Sequence, residues 1–155
     1  MERTLVVIKP DALQRRLVGR VIQRFEDKGL KIVALKMMWV GRELGERLYG
    51  PHQGKVFYEP LLRFIASAPV VVLVVEAPDA IRTVRQLMGP TFGAEAEPGT
   101  IRGDLAISNR FNLVHGSDSA ESAAREIALF FRPEEILDFQ LTDARWVSEL
   151  LVDEK

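Results

Sequence analysis

Val70-Val71-Val72-Leu73-Val74-Val75 is the longest apolar run in the chain. An unbroken run of valine and leucine is typical of a strand that is covered on both faces, whereas a strand with one wet face alternates apolar and polar residues. Pro69 and Pro78 bound the run, and proline is confined to the margins of paired strands. The pattern therefore predicts a strand at the centre of a sheet.

Three other segments have the composition of strands, namely Leu5–Ile8, Lys31–Val40 and Leu105–Ile107. The single lysines of the second segment should face solvent, which indicates a strand at the edge of the sheet. The third segment is short and follows a loop, residues 89–104, that is rich in glycine and proline. Loops of this length are uncommon in compact domains and are more often functional when they occur.

Helical patterns separate these strands. Apolar residues recur at helical spacing from Val18 to Phe25, from Ile81 to Met88 and from Ala120 to Phe131, and residues 42–67 indicate two short helices broken at Gly50-Pro51. Helices thus alternate with four strands. This order predicts an α/β sandwich with helices packed on one sheet.

The composition excludes several classes of protein. A formal net charge of -1 disfavours proteins that coat nucleic acid or a membrane surface, since both need a basic excess. The lack of cysteine excludes disulfides, cysteine zinc sites and thiol catalysis, and it fits a cytoplasmic protein. No apolar run is long enough to span a bilayer. We expect residues 1–155 to form a single domain, with an apolar tail of about residues 133–155 that packs on the domain or on a neighbouring subunit.

The segment Asn112–Ser119 places a histidine at the corner between an apolar run and a helix. Asp118 or Ser119 can cap that helix, and Asp118 with Glu121 resembles a capping box. Two interpretations of His115 follow from the residues alone. It is either a reactive group at a rigid corner or a core histidine that bonds a carbonyl oxygen.

The sequence lacks the motifs that bind phosphate through backbone N–H groups. It contains neither a G-x-x-x-x-G-K-[ST] loop nor a G-x-G-x-x-G turn, so any phosphate must be bound by side chains. The candidates are Lys9 after the first strand, Arg85 on a helix, and Thr91 and Arg102 in the long loop. For each cation alone, a solvated surface position is the more common role, and sequence alone does not show that the four residues converge.

Three segments carry a resemblance to the nucleoside diphosphate kinase family, which extends over essentially the whole chain. They are Arg3-Thr4 with Ile8-Lys9-Pro10-Asp11, then Pro98-Gly99-Thr100-Ile101-Arg102-Gly103-Asp104, and Asn112 to Ser119. The resemblance implies a ferredoxin-like α/β sandwich with a mostly antiparallel sheet. It also implies a ping-pong reaction, in which the γ-phosphoryl group of a nucleoside triphosphate, mainly ATP, moves to a histidine and then to a nucleoside diphosphate.

The family's functional residues match positions of this chain one by one. His115 matches the nucleophile, Glu126 the carboxylate that orients its ring, and Ser117 the serine that supports this carboxylate. Tyr49 matches a tyrosine near the histidine. The positions that match nucleotide contacts are Lys9, Arg85, Thr91 and Arg102 for the phosphates, Asn112 with Lys9 for the ribose 3′-hydroxyl, and Phe57 with Leu61 for the base.

The resemblance further implies Mg²⁺ held mainly by the nucleotide phosphates, nucleoside tri- and diphosphates as partners, and a homo-oligomer, in the family a hexamer. Neither a membrane nor a specific nucleic acid is expected as a partner. One rival hypothesis is a nucleotide-binding regulatory module on the same fold without turnover. A nucleic-acid-binding or nuclease role is a second rival, which the near-neutral charge disfavours.

Some positions depart from the commonest family pattern. They are Ala12, Val56, Gly93 and the segment Asn109-Arg110-Phe111. None of them matches a catalytic position. We expect them to affect loop stiffness, subunit stability and the contacts to the base rather than the reaction.

Overall fold

The computed structural model describes residues 1–151 and contains one four-stranded sheet among them. Its strands are β1 (Glu2–Ile8), β2 (Lys31–Met38), β3 (Val70–Ala77) and β4 (Val114–Gly116). They lie in the order β2-β3-β1-β4, and every neighbouring pair is antiparallel. The predicted α/β sandwich is confirmed, with β3 inside the sheet and β2 at its edge.

The helices cover both faces of this sheet. They are α1 (Pro10–Gln14), α2 (Val18–Asp27), α3 (Arg42–Leu48), α4 (Tyr58–Ile65), α5 (Ala80–Met88), α6 (Ile101–Leu105), α7 (Ala120–Phe130) and α8 (Ala144–Val147). One core contains Val21 and Phe25 of α2 with Val84 and Met88 of α5. The core on the opposite face is built from α3, α4 and the end of α7, including Leu48, Ile65 and Phe130.

The side chains of β3 alternate between these two cores. Val71, Leu73 and Val75 belong to the first core, while Val72 and Val74 belong to the second. Full burial of one such side chain stabilises a protein by about 1.5–3 kcal/mol. The unbroken apolar run therefore reflects a strand enclosed on both faces.

The predicted strand at Leu105–Ile107 is wrong. Residues Ile101–Leu105 form α6, which begins because the Thr100 hydroxyl accepts a hydrogen bond from the Gly103 backbone N–H at 2.9 Å. Ile107 is 94% exposed and has no sheet face to cover. The fourth strand is instead Val114–Gly116, which contains His115.

The helix after that strand is capped by Ser119. Its hydroxyl accepts a hydrogen bond from the Ser122 backbone N–H at 3.1 Å, so Ser119 rather than Asp118 is the N-cap. The third residue after the cap is then Ser122, which excludes the capping box expected between Asp118 and Glu121. The cap fixes how α7 leaves β4.

The described part of the C-terminal tail contacts β2. The Leu137 backbone N–H donates to the Val33 carbonyl at 2.9 Å, and Lys36 pairs with Glu135 at 2.9 Å. Lys31 donates to the Phe139 carbonyl. Residues 152–155 of the predicted tail lie outside the described residues. Within residues 1–151, no helix is both long and apolar enough to cross a membrane.

Candidate active site

His115 lies on β4, where it pairs with Val7 of β1. Its Nε2 atom is 2.7 Å from Oε2 of Glu126, a buried residue of α7. The Ser117 hydroxyl donates to the same oxygen at 2.8 Å. Arg125 donates to the other carboxylate oxygen at 3.4 Å. The Glu126 carboxylate thus receives donors on both oxygens.

The charge of Glu126 determines which tautomer the neutral His115 ring adopts. Burial acts to raise the pKa of this carboxyl, but hydrogen bonds from His115 and Ser117 and the nearby Arg125 charge lower it below its usual value. Glu126 is therefore ionised near neutral pH and can only accept hydrogen bonds. Nε2 must carry the proton, which leaves the lone pair of the neutral imidazole on Nδ1.

Aromatic rings connect His115 to the α3–α4 hairpin. The Tyr49 ring lies edge-on to His115 with 6.2 Å between centroids, and the rings of His52 and Phe57 continue the series. Burial, with a smaller contribution from the Glu126 charge, raises the pKa of Tyr49, and its buried hydroxyl has no hydrogen-bond partner among residues 1–151. Phe57 is half exposed at the start of α4, and Leu61, one turn later, packs against the core.

Lys9, just after β1, and Asn112, just before β4, form a second hydrogen-bonded group. The Lys9 amino group donates to the Asn112 side-chain oxygen at 2.8 Å, and the Asn112 amide donates to the Thr91 carbonyl at 2.8 Å. Burial and the neighbouring Arg102 charge lower the pKa of Lys9 to about 8, although Asp11 partly opposes them. The Lys9 cation is thus held where an anionic ligand would stabilise it.

Two arginines complete the cationic side. Arg102 is buried and donates to the carbonyl groups of Asn112, Val114 and Gly89 at 3.1, 2.7 and 3.0 Å. Burial and the Arg85 charge lower the pKa of Arg102 to about 10. Arg85 itself is exposed, with its guanidinium 3.4 Å from the Gly116 carbonyl. Both arginines therefore flank the strand that carries His115.

The chain is similar to known proteins over nearly all of its length. The family model described as nucleoside diphosphate kinase matches residues 2–136. A nucleoside diphosphate kinase of Thermomicrobium roseum is 56% identical over 95% of this chain and 99% of its own length. One of Carboxydothermus hydrogenoformans is 54% identical over 96% and 100% of the two chains.

The chain belongs to the nucleoside diphosphate kinase family. Its enzyme class is that of a phosphotransferase, as predicted. The structure of a halophilic nucleoside diphosphate kinase from Halobacterium salinarum in complex with CDP superimposes with a TM-score of 0.93. It is 47% identical and covers 96% of this chain and 99% of its own.

This member of the nucleoside diphosphate kinase family brings most of the predicted site residues together around one strand. Hydrogen bonds join His115, Glu126 and Ser117 in one group, and Lys9 and Asn112 in another. Thr91 joins the second group through its carbonyl only, and its side chain is exposed. Leu61 packs against the core, and Phe57 connects to the histidine through the ring of His52.

Two residues near the site were missed by the sequence analysis. The ring of His52 lies between those of Tyr49 and Phe57, and its only sequence signal was that the chain has just one other histidine. Asp11 accepts a hydrogen bond from the Leu113 backbone N–H at 3.1 Å. Because 102 residues separate Asp11 from Leu113, local patterns could not predict this contact.

Proposed function

We propose that the protein transfers the γ-phosphoryl group of a nucleoside triphosphate to a nucleoside diphosphate through a phosphohistidine at His115. The observation that carries the proposal is the 2.7 Å contact between His115 Nε2 and Glu126 Oε2, which Ser117 shares. This contact holds the ring in the tautomer whose Nδ1 atom is the nucleophile.

The reaction divides into two half-reactions. In the first, the Nδ1 lone pair forms a bond to the γ-phosphorus, the bond from phosphorus to the bridging oxygen breaks, and the nucleoside diphosphate leaves with that electron pair. In the second, a terminal phosphate oxygen of another nucleoside diphosphate attacks the phosphorus, and the electrons of the N–P bond return to Nδ1. Glu126 keeps Nε2 hydrogen-bonded throughout and stabilises positive charge on the ring.

Lys9, Arg85 and Arg102 supply the electrostatic part of catalysis. Phosphoryl transfer spreads negative charge over the transferring oxygens, so fixed cations around them lower the barrier. Lys9 and Arg102 are already desolvated and held by hydrogen bonds, and little reorganisation is needed when the nucleotide binds. The Thr91 hydroxyl is proposed as a further phosphate donor.

The nucleoside is proposed to bind between the exposed hairpin and Asn112. Phe57 offers its ring face to the base and Leu61 widens this apolar wall, while Asn112 and Lys9 reach the ribose 3′-hydroxyl. Stacking uses the π-face that every base has, so this arrangement accepts different bases. The relative from Halobacterium salinarum was solved with CDP, which supports a nucleoside diphosphate as ligand.

Mg²⁺ is proposed to bind through the phosphates of the nucleotide. Among residues 1–151, no three His, Cys, Asp or Glu side chains lie close enough to share an ion. The proposed phosphate ligands Lys9 and Arg102 are cations. This donor set does not fit a metal held by protein ligands, but it fits a metal–nucleotide complex whose phosphates carry the ion. Bound in this way, the ion would neutralise phosphate charge.

Labelling with [γ-³²P]ATP tests the proposed function. We expect acid-labile label of about one phosphoryl group per chain, which any nucleoside diphosphate removes. The His115→Gln variant should not be labelled. His52→Gln is the matched control, since it removes the only other histidine and should leave the label on His115. Acid-stable label, or label that persists in His115→Gln, would contradict the proposal.

We also propose that the protein is a homo-oligomer, a hexamer as the resemblance to the family implies. Leu35, Met37 and Trp39 on and after β2 are 50%, 67% and 63% exposed. These exposed apolar side chains on an edge strand form a surface that a second copy of the chain would cover.

A further inference from the structure

We propose that Asp11 is a positioning residue for phosphoryl transfer, whose carboxylate holds the main chain at Leu113 and thereby sets the position of His115. The inference rests on the proposed function of His115. In this proposal α1 fixes the position of the residue that precedes β4.

Residues 9–11 form three hydrogen bonds with the segment before β4. The Leu113 backbone N–H donates to Asp11 Oδ2 at 3.1 Å, and the Lys9 backbone N–H donates to the Leu113 carbonyl at 2.8 Å. The third contact is the 2.8 Å bond from the Lys9 amino group to the Asn112 side chain. Both peptide groups of Leu113 are therefore fixed by the end of β1 and the first turn of α1.

These hydrogen bonds matter because the backbone of Leu113 is strained. Its φ angle is 71°, in the left-handed region that a leucine rarely adopts, and its side chain is fully buried. Such a conformation costs about 1–3 kcal/mol and persists only where the surroundings impose it. Without an acceptor at Asp11, only the carbonyl end of the peptide before Leu113 stays bonded, to Arg102 at 3.1 Å and to the Val114 backbone N–H at 2.8 Å, and we expect the peptide to rotate about that end. Since His115 follows only two residues later, that rotation moves its ring relative to Glu126.

A purely stabilising role explains Asp11 less well. A carboxylate in the first turn of a helix gains a few tenths of a kcal/mol from the helix dipole. However, Asp11 Oδ1 is buried without a hydrogen-bond donor among residues 1–151, and an unsatisfied buried acceptor costs about 1–3 kcal/mol. The helix dipole alone therefore does not account for a carboxylate at Asp11.

Asp11 also contributes a negative charge near Lys9, and this effect can be separated from positioning. Its charge acts to raise the pKa of Lys9, against burial and Arg102. The Asp11→Asn variant removes the charge but keeps an oxygen that can accept from Leu113. Asp11→Leu has nearly the same shape and removes both the charge and the acceptor.

Rapid-quench measurement of His115 phosphorylation over a range of ATP concentrations up to saturation distinguishes these roles. We expect Asp11→Leu to slow phosphorylation by about tenfold or more, with the KM for nucleotide changed much less, and Asp11→Asn to stay within about threefold of the unmodified protein. Asp27→Leu is the control, because the Asp27 side chain is exposed and bonds only Gln23 among the described residues. Asp11→Ala, measured well below its unfolding midpoint, replaces Asp11→Leu if the latter does not fold.

Two outcomes overturn the inference. Phosphorylation of both Asp11→Leu and Asp11→Ala at the unmodified rate means that the hydrogen bond does not position His115. Equal losses in Asp11→Asn and Asp11→Leu mean that the charge on Asp11, not its acceptor, is what matters. Failure of the unmodified protein to label at all would instead contradict the proposed function, so the two failures are distinguishable.

Discussion

Single side chains at the site are held by more than one partner. Glu126 accepts from His115 and Ser117 on one oxygen and from Arg125 on the other. A carboxylate suits this position because each of its oxygens can accept from several donors, whereas an amide presents an oxygen on one side and two N–H groups on the other.

Glu126→Gln should therefore slow phosphorylation of His115. Whichever way the amide lies, its N–H groups face a donor, either Arg125 or the pair His115 and Ser117. We expect a loss of roughly tenfold to a hundredfold in the phosphorylation rate, as when the partner of a functional histidine is removed. Glu121→Gln, an exposed change in the first turn of the same helix, is the control. An unmodified rate in Glu126→Gln would show that the amide orients the ring equally well.

Lys9 should give the reaction an alkaline limit. Its pKa is lowered to about 8, mainly by burial, so the amino group loses its proton as the pH rises through that value. The cation is then lost, and we expect kcat/KM to fall above about pH 8. The limit should move to higher pH in kcat, because a bound phosphate favours the charged form. Lys9→Met should have a lower kcat/KM that no longer falls above about pH 8. If kcat/KM of Lys9→Met still falls above this pH, another group is responsible for the fall.

At the scale of the elements, α6 determines where Arg102 lies. The helix sits so close to the preceding loop that a Cβ on Gly103 would come 1.9 Å from the Glu97 carbonyl oxygen. This contact is with backbone, which cannot move aside as a flexible side chain can.

Gly103→Ala should displace α6 and the Arg102 guanidinium with it. We expect the free energy of unfolding to fall by about 3 kcal/mol and the KM for nucleotide to rise, because overpacking against backbone forces the elements apart. Thermal unfolding and steady-state kinetics measure the two effects. Gly19→Ala is the matched control, since beyond its chain neighbours and the backbone of α2 no atom lies within 4 Å of the added Cβ, and alanine favours helix α2 by up to about 1 kcal/mol. Equal stability of the two variants would contradict the expected clash.

The strands differ in how well the sequence predicts them. Val70–Val75 is long and uniformly apolar, and β3 is where the pattern predicts it. Strand β4 has only three residues, and the apolar run Leu105–Ile107 resembled a strand more closely than Val114–Gly116 did. A short apolar run is ambiguous because helix ends and strands share it. Here only Leu105 belongs to a helix, and Ala106 and Ile107 follow α6 in neither a helix nor a strand.

The candidate site depends on contacts that span the chain, which periodicity does not reveal. Lys9 and Asn112 are 103 positions apart and bond directly. The sequence predicted which residue types could bind phosphate, and the family resemblance indicated their positions. The antiparallel pairing of β1 with β4 brings them together, because it places the end of β1 beside the start of β4. The roles of the individual site residues, and the cytoplasmic location, stay predictions.

For the molecule as a whole, the candidate site surrounds β4. The groups around His115 belong to β1, β4 and the helices and loops that pack on them. The exposed apolar side chains of β2 lie on the opposite edge of the sheet from β4. Association through β2 would therefore leave the candidate site accessible.

Charged substitutions on β2 should separate assembly from catalysis. Light scattering at micromolar concentration should give a mass several times the 17.5 kDa of one chain, and six times for a hexamer. Met37→Lys and Trp39→Lys should lower this mass, because a charge at a covered apolar site loses its water without gaining a partner. Val56→Lys, at a side chain that is 98% exposed, should not change it.

The dissociated protein should still be phosphorylated on His115, since Glu126, Ser117 and Lys9 come from the same chain. A monomer mass for the unmodified protein would reject the proposed oligomer, and loss of labelling on dissociation would mean that a second chain completes the site.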